Sequence, residues 1–177
     1  MTTLRLYPVM DGLYASSANQ TRMLSFLRNV LQTLADEFNN EADPLHRFIV
    51  RGGLAFGPTY HGHQVGNPAS PVLAAHTDYR DQILLGLPMV QAHISERQAP
   101  PFGLFVHESA RSFAPDGFHP LHYSWFRWSN PANRAIWDTL SQRLSEHLQW
   151  CADHSLQIGY PPDRVNVHRE MVRQFFS

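Results

Sequence analysis

One cysteine, Cys151, supplies every thiol in this 177-residue chain. An internal disulfide and a zinc site built on cysteine are thereby excluded. Charge is sparse as well: 16% of residues are Asp, Glu, Lys or Arg, and the formal net charge is -1. That balance offers no basic face, so nucleic acid is not expected as a partner. Long hydrophobic runs are missing too. Nothing approaches the roughly 20 consecutive apolar residues that cross a bilayer, so no membrane is expected. The opening MTTLRLYPVMDG lacks the apolar segment and small-residue cleavage site of a signal peptide. The expectation is a soluble protein of a reducing cytoplasm. Apolar side chains, by contrast, are plentiful at 43%, enough to bury a core and too many for disorder. The length fits one domain over residues 1–177, with helices from about 131 to 177 as a C-terminal extension.

The chain opens with a hairpin pattern. Leu4 to Met10 and Leu13 to Ala15 are apolar or aromatic-rich, and Asp11-Gly12 between them supplies residues that tolerate positive φ. Pro8 cannot donate to a ladder and requires an edge or a bulge. Leu24, Leu27, Leu31, Leu34 and Phe38 then recur at helical spacing after a cap at Ser17 or Asn19. The run HRFIVRGGLAFG predicts a buried strand whose glycines admit a close neighbour. His63 to Arg80 reads as a long loop excursion. ILLGLP predicts a short buried strand ending at Gly86, and Pro88 opens a helix through Met89, Val90, Ala92 and Ile94. PPFGLFVHESA and HPLHYSWFRW predict two further strands, the second able to serve as an aromatic dimer surface. Asn130-Pro131 starts a helix with Ile136, Leu140, Leu144, Leu148 and Cys151 as its stripe, and a tail helix runs from Pro162 to Phe176. Strands mixed with helices on one face make the expected class α+β.

Three pieces carry chemistry together: the hairpin tip MDG, the strand RGGLAFG, and the strand-to-helix turn GLPMVQAHISE. In this order and spacing they resemble the catalytic core of class III nucleotidyl cyclases, over about Leu4 to Ser109. The wording YPVMDG, RGGLAFGP, LLGLPMVQA and FVHESAR is most similar to the pyrimidine cyclases of bacterial Pycsar antiphage defence. The resemblance implies a ferredoxin-like α+β core and a head-to-tail homodimer with two equivalent interfacial sites. It implies conversion of UTP, or CTP, to a 3′,5′-cyclic nucleotide and pyrophosphate, a signal read by a separate effector protein.

Cyclisation requires an aligned attack by the 3′-oxygen on the α-phosphate and neutralisation of phosphate charge. Two divalent ions, Mg²⁺ or Mn²⁺, bridge the entering and leaving oxygens in the intact family site, and hard cations select carboxylate oxygen. By resemblance Asp11 is the metal ligand. The base-reading positions fall on Tyr7, whose ring and hydroxyl suit a small pyrimidine, and on Ile83, which can line a pocket but cannot read an edge. Arg51 is expected to be structural, tying its strand to carbonyls or a carboxylate.

Two features depart from the family pattern. Only ten residues precede Asp11, leaving no room for the upstream strand that carries the family's first metal Asp. Little or no cyclase activity is therefore expected from the polypeptide as written, and an inactive nucleotide-binding or interaction module is the alternative. The helix positions that normally hold Asn and Arg are Val90 and Ile94. His93 and Arg97 keep the four-residue spacing nearly one turn further on. Arg97 is the candidate for stabilising the pentavalent phosphate, with Gln91 or His93 orienting the ribose; an exposed Glu96-Arg97 helix end is the competing reading. Among eleven histidines, His61, His63 and His76 group together. No Glu or Asp completes a recognised zinc spacing, which favours surface or hydrogen-bonded histidines over a metal hydrolase.

Overall fold

The structure, a computed structural model, describes residues 4–10, 12–117 and 119–177, without the side chains of 66–69. Strands β1 (Arg5–Val9) and β2 (Gly12–Ser16) form the antiparallel hairpin. Val9 pairs with Gly12, and Met10 carries φ 49. The positive φ thus falls one residue earlier than the Asp11-Gly12 pattern predicts. Asp11 itself lies outside the described residues.

Helix α1 (Gln20–Asn40) begins where Asn19 accepts a hydrogen bond from the Arg22 amide at 2.8 Å, satisfying one of the donors a helix start leaves open. Its spacing buries Leu24, Leu31, Ala35 and Phe38 on one face. The glycine-rich run then gives β3 (Gly52–Leu54), only three residues long, followed by β4 (Tyr60–His61). The expected loop from His63 is instead three short helices, α2 (Gly62–Ala69), α3 (Pro71–Ala75) and α4 (Thr77–Asp81). Each is too short to show a 3.6-residue apolar period, so local capping shapes them, as where Ser70 accepts from the Leu73 amide.

ILLGLP becomes β5 (Leu84–Leu85), with Leu84 buried and Leu85 half exposed, so this strand is not buried throughout. Helix α5 (Leu87–Glu96) follows, with Pro88 in its first turn. Next come β6 (Leu104–Val106), α6 (Glu108–Ser112), a 3-10 turn at Pro120–His122 and β7 (Trp125–Phe126). The second aromatic strand is thus only two residues long, and Phe126 points into the core rather than to a partner surface. Helices α7 (Arg134–Asp153), α8 (Ser155–Ile158) and α9 (Pro162–Phe176) complete the chain. On α7 the buried stripe starts at Trp137; Ile136 is only partly covered.

Among the described residues the strands form three small sheets: β1 with β2, β4 antiparallel to β5, and β6 flanked by parallel β3 and antiparallel β7. The fold is mixed α and β, helices dominating. Strand β3 connects to β6 by a crossover containing α5, which lies directly on β3. A Cβ on Gly53 would sit 1.9 Å from the Ala92 carbonyl oxygen, so only glycine permits this approach. The principal core joins α1, β6, β7, α7 and α9 through Phe38, Phe102, Trp128, Leu144 and Phe175, all 0% exposed. No helix among the described residues is long and apolar enough to cross a membrane.

Candidate functional site

The hairpin docks onto the short helical region through two parallel contacts. Arg5 and Tyr7 are alternate residues of β1 and share one face of the strand. The Arg5 guanidinium donates to His63 Nδ1 at 3.1 Å, and the Tyr7 hydroxyl hydrogen-bonds His61 Nδ1. The His61 and His63 rings stack 5.8 Å apart at 6°. Tyr7 is buried and its ring lies parallel to that of His61. Burial, and then the charges of Arg5 and His63, push the His61 pKa below its ordinary value. His61 is therefore neutral near pH 7, and its Nδ1 can accept the Tyr7 proton.

Ile83 reaches the same place from the other side. His61 pairs with Leu84, and the neighbouring Gly62 amide donates to the Ile83 carbonyl at 2.9 Å. The two positions assigned to base reading are thus both neighbours of the His61-Gly62 step, Tyr7 through its hydroxyl and Ile83 through its backbone carbonyl. Gly86 follows with φ 150 and ends β5, where a side chain would meet the Pro58 carbonyl oxygen. This turn launches α5 beside the hairpin's docking point.

The α5 residues are placed differently. Gln91 is half-buried, while His93 and Arg97 are exposed. Among the described residues none of the three makes a hydrogen bond or ion pair with Tyr7 or Ile83. Arg97 follows Gly86 by eleven positions, about 16 Å along a helix. Arg51 does what was expected of it: its guanidinium donates to Glu96 at 2.9 Å and to His168 Nε2 at 3.1 Å, tying the start of β3 to α5 and α9.

No three His, Cys, Asp or Glu side chains converge as metal ligands among the described residues. His61 and His63 commit their Nδ1 atoms to Tyr7 and Arg5 instead. What sequence reasoning missed is His61 as the partner of Tyr7. The signal was present in the alternation Arg5, Tyr7 against His61, His63, but only the docking makes it legible. No protein-family model, curated protein or solved structure matches this chain.

Proposed function

We propose that this protein binds a pyrimidine nucleoside triphosphate beside the hairpin and cyclises UTP to 3′,5′-cyclic UMP, as the signal generator of a Pycsar-type antiphage pair. The carrying observation is the contact of Tyr7 with His61, whose neighbour Gly62 bonds the Ile83 carbonyl, on the hairpin whose sequence includes Asp11. In the reaction the 3′-oxygen bonds to the α-phosphorus, the bond to the bridging oxygen of pyrophosphate breaks, and the 3′-hydroxyl proton is lost to solvent.

Tyr7 supplies the selectivity. With its proton given to neutral His61, the phenolic oxygen is left as an acceptor, which complements the N3–H of uracil and leaves the N3 lone pair of cytosine unmatched. Ile83 offers an apolar wall. Mg²⁺ or Mn²⁺ would neutralise phosphate charge. The described residues alone do not make a cage for such ions, and Asp11 lies outside them.

A second copy of the chain would bring in the residues of α5. Leu87, Val90 and Ile94 are 65%, 53% and 57% exposed and share one face of α5, away from the face on β3. Covering that stripe in a homodimer would carry Gln91, His93 and Arg97 toward the partner's hairpin. A binding module without turnover is the second reading, favoured by the separation of the hairpin from the β3–β6–β7 sheet.

Incubation with each of the four nucleoside triphosphates and Mn²⁺, followed by chromatography, tests the proposal. Cyclic UMP is the expected product, formed only at a trace rate because the sequence offers one metal carboxylate where the family site uses two. Asp11→Asn should lower that rate by about a further 100-fold. Tyr7→Phe should reduce kcat/KM for UTP by about tenfold and narrow the preference over CTP. UTP binding without product would select the second reading; neither binding nor product from UTP or CTP would overturn both.

A further inference from the structure

Far from the hairpin contacts in sequence, a cleft of about 390 Å³ opens between α7, α9 and the segment from Pro44 to Arg51, within the range of small-molecule sites. None of the residues proposed above to handle nucleotide lines it. Three guanidiniums do: Arg47, Arg51 and Arg164. Arg51 is neutralised by Glu96 at 2.9 Å. Arg47 spends its Nε on the Glu41 carbonyl and lies over the Phe38 ring, and Arg164 lies over the Tyr160 ring. Neither has a carboxylate partner among the described residues, and no Asp or Glu lines the cleft. Two uncompensated positive charges therefore face one cavity.

Two neutral donors join them. Arg51 can only donate, so His168 Nε2 accepts, the ring proton sits on Nδ1, and Nδ1–H donates to the Tyr160 oxygen. The Tyr160 proton is then available to a ligand. The second donor is His147. Its Nε2 lies 3.5 Å from Cys151 Sγ, a contact that either tautomer of the ring can make because a thiol both donates and accepts. Nδ1 is buried without a partner in a residue only 5% exposed, and in the Nδ1–H tautomer it is a donor waiting for an acceptor. An unpaired buried donor is costly unless something fills its place. Burial, and after it the charge of Arg47 at His147 and of Arg51 and Arg164 at His168, pushes both imidazoles down to about 4, so both rings are neutral at pH 7.

The geometry points to this cleft as a binding site for a small phosphate-bearing molecule. A planar carboxylate offers two oxygens. A tetrahedral phosphomonoester offers three and a charge that matches Arg47 and Arg164, while His147 Nδ1–H and Tyr160 O–H supply neutral donors. The organic part has a wall to lie on, made by Leu45, Ile49, Trp150 and Ile158.

Nuclear magnetic resonance titration of the full chain, observing the imidazole nitrogens of His147 and His168, provides the test. The probes are inorganic phosphate, phenyl phosphate and benzoate. Saturable shifts at His147 are expected with both phosphates, phenyl phosphate binding about threefold or more tighter through the apolar wall and benzoate weakest. Arg164→Ala, on an exposed side chain that the fold does not need, should weaken phosphate about tenfold, and Tyr160→Phe about threefold. Arg143→Ala, a half-buried α7 cation that pairs with Glu146 and does not line the cleft, should leave binding unchanged. Absence of saturation with both phosphates, tighter binding of benzoate, or equal loss in Arg143→Ala and Arg164→Ala would each overturn the assignment.

Discussion

The part of the molecule made by the hairpin, β4, β5 and α5 (the motif half) and the part made by the long helices and the β3–β6–β7 sheet (the helical half) are built to different standards. In the helical half, α1, α7 and α9 interleave around Phe38, Trp137, Leu144, Leu148 and Phe175, each at most 3% exposed. In the motif half the buried apolar side chains Tyr7 and Leu84 stand apart from that principal core. Leu6, Leu13, Leu85, Leu87, Val90 and Ile94 are all half exposed or more. The helical half covers most of its apolar side chains, leaving Leu156 and Val167 exposed on α8 and α9. The motif half presents apolar surface that only another surface can cover, which is the physical reason to expect its chemistry at an interface.

One backbone contact joins the halves most tightly, and breaking it gives the largest effect. Gly53→Ala places a methyl 1.9 Å from the Ala92 carbonyl oxygen, so α5 must lift from β3. Because the obstacle is backbone, rotamer changes cannot relieve it. A loss of about 3 kcal/mol in denaturant unfolding is expected, at the upper end for overpacked sites. A loss below about 1 kcal/mol would mean that α5 is loosely seated and that the two halves are coupled elsewhere.

Acid should separate the halves next. His147 and His168 bind protons near the ordinary 6.5 in the unfolded chain but only at about 4 in the fold. Stability is therefore complete above 6.5, declines as pH falls toward 4, and levels off below that. The groups facing these rings are Arg47 and Cys151 for His147, and Arg51, Arg164 and Tyr160 for His168, with Glu96 held by Arg51. At pH 5 each imidazole should cost about 1–2 kcal/mol after allowance for solvent screening. Chemical denaturation at pH 7 and pH 5 measures the sum, and His168→Gln should remove about half of the difference. A pH-independent midpoint would show that both rings take up protons in the fold as readily as in the unfolded chain.

Long elements were legible in the sequence because their signals repeat. Helix α9 runs from Pro162 to Phe176 as the proline start and apolar spacing indicate, and α1 follows its leucine stripe. The hairpin was legible in kind but its turn was not, since Met10 takes the positive φ that Asp-Gly would accept more readily. The segment from Gly62 to Asp81 was unreadable because five- to eight-residue helices hold no full apolar period. At the site, Tyr7 and Ile83 were named by pattern, yet His61 between them needed the docking of β1. The basic cleft left no local trace. Arg51 and His168 stand 117 positions apart, and only the packing of α9 beside the 44–51 segment makes them one cluster.

The smallest effect on stability should come from the most exposed apolar face. Val90→Ser with Ile94→Ser changes two side chains that are 53% and 57% exposed on α5. Neither lies in the principal core, so the unfolding free energy of the isolated chain should move by no more than about 0.5 kcal/mol. If α5 is the surface that a second copy covers, the same pair of changes removes most of the apolar area holding that copy. Sedimentation of the unaltered chain should then show a dimer, and the double variant a monomer with the same circular dichroism. Product formation from UTP should fall with the dimer, while binding of inorganic phosphate at the Arg164 cleft, which belongs to the helical half, should not change. A double variant that lost phosphate binding together with its dimer would erase the distinction between the two halves, because the cleft would then depend on the partner as much as the hairpin does.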